Sequence, residues 1–197
     1  KLILIPHQFL HLLPLHALPV RNSYLMDLFP QGVGYVPSLQ ILQQIQLRQR
    51  DDFKSLFAIQ TPTEDLYGKD LGAVAAIKKQ FSNGDILKQD KAKESAIIPN
   101  NENLTKANNL FFFCHGYFNA NIPLNSGLKL ADKILTLADI ITHIKLENCR
   151  LVTLAACETG MIDGTNISDE YIGLPNGFLL AGSTNIVGSL WTVSTIA

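Results

Sequence analysis

Leu151-Val-Thr-Leu-Ala-Ala156, followed at once by Cys157-Glu-Thr-Gly160, is the stretch whose reading decides the fold. A short run of apolar and small residues bounded by a polar turn reads as a strand buried on both faces, since a half-exposed strand would alternate. A second run of the same kind, Leu110-Phe-Phe-Phe-Cys114, passes directly into His115-Gly116. Between them, Thr136-x-x-Asp139 has the form of a capping box. Leu137, Ile140, Ile141 and Ile144 then recur at the i, i+3, i+4, i+7 spacing of one helix face, so a helix is expected over 135–146. Strand, helix, strand with a right-handed crossover sets the two strands side by side or one apart, with both carboxyl ends on one edge.

The same alternation extends outward. Apolar runs at 2–5, 33–36, 56–60 and 185–191 are further strand candidates. Ser38 can cap a helix carrying Leu39, Leu42 and Ile45 on one face; 70–81 carries Leu71, Val74, Ala75 and Ile77; and 173–181 is closed by Gly182. Strands alternating with helices predict an α/β domain with a mostly parallel central sheet and helices on both faces. The polar stretches 82–109 and 163–169 are expected to be exposed, mobile loops. Gly32-x-Gly34 lacks the third glycine of a dinucleotide fingerprint, and no GxSxG elbow is present.

Composition narrows the function classes. With 197 residues, 47% hydrophobic and 17% charged, the chain can bury a core as a single domain over 1–197. A net charge of −1 and the lack of a basic block argue against nucleic acid or an anionic membrane as partner, and no apolar run reaches the length of a membrane span. Cys114, Cys149 and Cys157 are odd in number and contain no CxxC, so neither a disulfide framework nor a zinc site is expected and a cytoplasmic, reducing setting is. His7, His11 and His16 sit among leucines without nearby carboxylates, and no metal is expected there. The chain starts without Met in a strand-like run and stops shortly after Trp191, which suggests a piece of a longer protein.

A cysteine after an apolar strand is by default a small buried hydrophobe, and a histidine there by default satisfies a local hydrogen bond. Here the two residue types follow strands that lie side by side or one apart, so they could face each other, which is the minimum for nucleophilic cysteine catalysis: an imidazole to raise the thiolate fraction and nearby backbone N–H groups for an oxyanion. Cys114, on the opposite side of the strand from His115 by alternation, is expected to be structural, and Cys149 to pack at a helix end. Asp132, Asp163, Asp169 and Glu170 are acidic loop residues near the same edge, any of which could line a pocket; Glu158 adjoins Cys157.

His115-Gly116, Pro123-Leu-x-Ser126-Gly-Leu, Leu135-Thr-Leu-x-Asp139-Ile, Leu154-Ala-Ala-Cys157-Glu-Thr-Gly160 and Ser189-Leu-Trp191 together resemble the CHAT domain. So do Ile5-Pro-His7-x-x-Leu10-His-x-Leu13-Pro14 and Tyr35-x-Pro-Ser38 at the beginning, so that the resemblance runs in order over nearly the whole chain. It implies a caspase-like three-layer sandwich and a cysteine endopeptidase acting on a protein or peptide substrate. Cys157 would be the nucleophile, His115 its acid/base partner, and the backbone N–H groups of Gly116 and Cys157 the oxyanion hole, with no metal or cofactor. A regulatory repeat domain or partner protein is a further implication. Two positions depart from the family pattern. Phe111 stands where relatives often have a second histidine, and Thr195 where an aspartate commonly follows the tryptophan motif. The second departure keeps open a binding or signalling module with little turnover.

Overall fold

The computed structural model describes residues 1–50, 52–98, 101–156 and 172–191. The chain begins with β1 (Leu2–Leu4), a short hairpin of β2 (Pro19–Val20) and β3 (Ser23–Tyr24), and β4 (Val33–Tyr35). β1 and β4 pair in parallel, Leu2 opposite Val33, as a ribbon separate from the central sheet. Both are half-buried, so these two expected strands form without joining the main sheet. Next comes α1 (Leu39–Leu47), whose N-cap Ser38 accepts a hydrogen bond from Ile41 N at 3.2 Å, as its position before the apolar stripe predicts.

β5 (Ser55–Gln60), α2 (Ala73–Lys78), β6 (Asn83–Lys88), α3 (Glu102–Lys106) and β7 (Asn109–Phe113) follow. A small antiparallel sheet of β8 (His115–Tyr117), β9 (Gly127–Lys129) and β10 (Ile134–Thr136) comes next. The described chain closes with α4 (Leu137–His143), β11 (Leu151–Ala155), α5 (Leu174–Ala181) and β12 (Ile186–Val187). The central sheet has the order β12-β11-β7-β5-β6 and is parallel throughout.

Side-chain alternation sorts the central strands into two faces. Phe57, Leu110 and Val152 lie in one row across β5, β7 and β11, and Ile59, Phe112 and Leu154 in the next. All six are buried, and they pack with Leu137 and Ile140 of α4, Leu174 and Phe178 of α5 and Leu104 of α3. The opposite face presents Leu56, Ala58, Phe111 and Phe113 toward Val74 and Ile77 of α2. Helices thus cover both faces of the sheet in a caspase-like α/β sandwich. Each fully buried Phe, Leu or Ile in these rows contributes roughly 1.5–3 kcal/mol relative to exposure. Phe112 meets Phe178 with ring centroids 5.6 Å apart and planes tilted by 45°, a favourable aromatic arrangement.

Several local expectations are met in detail. Thr136 and Asp139 form the full capping box of α4, and α5 ends at Gly182, whose φ of +123° suits a residue without Cβ. Cys114 is buried, and so is Cys149 in the turn after α4. Four boundaries differ, among them that of the strand expected over 185–191, which is confined to Ile186–Val187. The helix expected over 135–146 is shorter, because Leu135 and Thr136 pair with Leu128 and Gly127 as a strand. The helix expected over 70–81 is confined to Ala73–Lys78, after Gly72 with φ +80°. The stretch 82–109, expected to be an exposed loop, carries the edge strand β6 and the helix α3, and buries Ala92, Ile97 and Leu104 in the main core.

At the amino end of the sheet, one residue serves three strands. Asn108 Oδ1 accepts from Lys54 N at 3.1 Å and from Ser55 N at 3.2 Å and Ser55 Oγ at 2.9 Å, at the start of β5. Its backbone carbonyl accepts from Arg150 N at 2.7 Å and Leu151 N at 3.2 Å, at the start of β11. It does this from the position immediately before β7.

Candidate active site

The register brings the ends of β7 and β11 level: Phe113 is opposite Ala155. β7 then bends at Cys114, whose side chain turns into the core, and the next residue opens a new strand. His115, expected just past the strand 110–114, is the first residue of β8, paired with Lys129. The switch of sheets has a simple cause. Cys114 ends the apolar run, and half-buried His115-Gly116 and exposed Tyr117 form the edge strand of the small sheet. Gly116 lies opposite Leu128 in that ladder. β11 ends at Ala155, followed by buried Ala156. Cys157, Glu158, Asp163, Asp169, Glu170 and Thr195 lie outside the described residues.

A third element reaches the same edge. β5 lies on the other side of β7, with Gln60 opposite Phe113, and Thr61 N adds one more rung by donating to Phe113 O at 2.9 Å. Thr61 is buried with φ +46°, a backbone region that costs a β-branched residue energy and is held only by its surroundings. From there Pro62 and Thr63 lead into a single 3-10 turn, Glu64–Leu66, pinned by buried Leu66. The middle residue of that turn, Asp65, places Oδ2 2.5 Å from Nε2 of His115. The imidazole is 35% exposed and the carboxylate 58%, so the pair is anchored at its base and open to solvent on one side.

The Asp65 carboxyl is held well below its ordinary range, at about 2, first by the Thr63 hydroxyl and then by the hydrogen bond from His115. Thr63 Oγ1 is buried beside it, short of good hydrogen-bond geometry with any described group, yet close enough to favour the charged form. Burial has the opposite effect on the thiols of Cys114 and Cys149: it pushes both up to about 12. Neither of these two thiols is a nucleophile at neutral pH.

Of the acidic loop residues named from sequence, Asp132 is described, and it has structural work. Its carboxylate accepts from Glu94 N at 2.8 Å and Lys133 N at 3.0 Å, tying the β9–β10 turn to the segment before α3. His16 is bonded through Nδ1 to the Tyr35 hydroxyl at 2.7 Å, and no group of three or more metal-ligating side chains occurs among the described residues. Nor is there, among the described residues, a helix long and apolar enough to cross a membrane. A groove of about 420 Å³ runs between the β1–β4 ribbon, α1 and the β12 edge, lined by Ile3, Leu42, Ile45, Leu179 and Ile186. It is mostly apolar and does not include His115 or Asp65, so it is a seam between substructures, separate from that pair.

A five-stranded, all-parallel sheet covered by helices on both faces is consistent with the caspase-like class. The CHAT domain family model matches residues 1–197, and the chain belongs to that family. No curated protein matches the chain.

Proposed function

We propose that this protein is a cysteine endopeptidase of the cytoplasm, cleaving a protein or peptide substrate through Cys157 and His115. The observation that carries the reading is the register of β7 and β11. Phe113 and Ala155 end adjacent parallel strands at the same level, and in the sequence His115 and Cys157 each follow two residues later. Membership of a family related to caspase-like peptidases supports the same reaction.

In that reaction the Cys157 thiol gives its proton to His115, and the thiolate attacks the scissile carbonyl carbon. The backbone N–H groups of Gly116 and Cys157 stabilise the oxyanion. His115 returns the proton to the departing amine, leaving a thioester; water then gives a proton to His115 and hydrolyses it. No metal or cofactor takes part. Cys157→Ala and His115→Ala, compared with wild type on a broad fluorogenic peptide library and with a thiol-reactive probe, test the proposal. Loss of turnover in both variants supports it. Wild-type protein indistinguishable from Cys157→Ala in both assays would overturn it in favour of a binding module. Control by a repeat domain or partner belongs to the same proposal, and its signature is turnover that rises when that partner is added.

A further inference from the structure

We infer that Asp65 is the positioning residue of this site, orienting His115 through Nε2 so that Nδ1 is the nitrogen that exchanges protons with Cys157. The inference rests on the cysteine peptidase reading above and adds a third member that the sequence did not indicate.

The chemistry follows from what each group can do. A carboxylate has no proton to give, so in the 2.5 Å contact the imidazole nitrogen is the donor and the neutral ring is the Nε2–H tautomer. The lone pair of the ring then lies on Nδ1, which has no hydrogen-bond partner among the described residues. A thiol proton can be accepted only there. When it arrives, the positive charge on the ring sits against Asp65, and the proton that leaves for the departing amine again departs from Nδ1. The Nε2 proton stays in place throughout, so Asp65 itself exchanges none. In the second half, water supplies the proton to Nδ1 and hydroxide to the thioester, and the thiol is restored.

The mounting of Asp65 fits this task better than a casual surface ion pair. Exposed pairs between long flexible chains are worth little because both partners must be ordered. Here the carboxylate is on a short side chain in a one-turn helix, with Leu66 buried next to it and Thr61 hydrogen-bonded to β7. His115 is fixed by its own pairing to Lys129. The two sites of attachment are on opposite sides of the β7 end, so the pair bridges the central sheet to the small antiparallel sheet.

The test is a kinetic series with Asp65→Ala, Asp65→Asn and Asp65→Glu, beside Cys157→Ala and His115→Ala. The expected result is a kcat lower by about tenfold to a hundredfold for Asp65→Ala and Asp65→Asn, partial rescue by Asp65→Glu, and KM within about twofold of wild type. Circular dichroism and melting temperature report whether each variant is folded. Asp65→Ala with kcat unchanged, while Cys157→Ala and His115→Ala are inactive, overturns the inference and leaves the peptidase reading intact. A wild type without turnover overturns the peptidase reading. In that case nitrogen-15 spectra of the His115 ring still decide the geometry: a hydrogen-bonded Nε2–H seen in wild type and lost in Asp65→Ala supports the assignment, and its absence in wild type refutes it.

Discussion

Two glycines with the same overlap but different neighbours allow the packing to be tested quantitatively. A Cβ on Gly127, in the middle strand of the small sheet, would lie 2.2 Å from the Leu135 carbonyl oxygen and 2.6 Å from Ile134 Cγ2. A Cβ on Gly177 of α5 would lie 2.2 Å from Leu137 Cδ1, with its next contacts at 3.7 Å. In the first case the obstacle is backbone. β9 is paired on both sides, so a retreat of about 1 Å by β10 disturbs ladder bonds worth about 1 kcal/mol each on top of about 1–3 kcal/mol of overpacking. In the second case the obstacle is a terminal methyl, and a shift in rotamer costs about 0.5–1.5 kcal/mol. Alanine in a helix also recovers about 1 kcal/mol relative to glycine. Gly127→Ala is thus expected to cost about 3 kcal/mol or more, and Gly177→Ala to change stability by no more than about 0.5 kcal/mol either way. Urea unfolding of the two variants and wild type measures both. A Gly177→Ala penalty equal to or greater than that of Gly127→Ala would refute the reasoning. Since β8 hangs on β9, Gly127→Ala should also slow peptide hydrolysis more than its folded fraction explains.

Three other outcomes are expected. Iodoacetamide should modify Cys157 alone in the native protein and all three cysteines after unfolding, because burial raises the Cys114 and Cys149 thiols to about 12; native labelling of Cys114, read by peptide mass spectrometry, would contradict this. The depressed Asp65 carboxyl contributes stability that is fully present above its ordinary value of 3.8 and is lost as pH falls through about 2. A carbon-13 titration of that carboxyl should therefore have a midpoint near 2 and move upward in Thr63→Val, whereas a wild-type midpoint near 4 would count against the pair. Thr136→Ala removes the hydroxyl that accepts from Asp139 N at 3.1 Å and should lower stability by about 1 kcal/mol in thermal or urea melts, with a change near zero counting against the capping box.

What the sequence disclosed was what burial makes visible. β7 and β11 stand out because strands covered on both faces must be apolar throughout, and α4 because its cap and its stripe agree. β6 was hidden for the opposite reason. It pairs only with β5, at the sheet edge, and begins Asn83-Gly84-Asp85, residues that are otherwise signs of a turn. Three-residue strands such as β8, β9 and β10 are too short to show alternation at all. His115 was legible as a reactive side chain after an apolar run. Asp65 was not, since Thr63-Glu64-Asp65 looks like any polar turn. Its one signal was positional: it follows the end of β5, and side chains past the carboxyl ends of parallel strands share an edge.

Asn108 has a consequence of a different kind. A parallel sheet that slips by one residue turns every side chain to the wrong face, so register has to be enforced somewhere. Here a single amide and its own backbone carbonyl set β5 and β11 against β7 at the end remote from His115. The sheet behaves as a beam clamped at one end. Its other end carries less of the burden of alignment, and the turns that leave it can change without rethreading the strands behind them, provided the rung from Thr61 N to Phe113 O that mounts the Asp65 turn is kept. Divergence among proteins built this way can collect at the working end while the clamp stays the same.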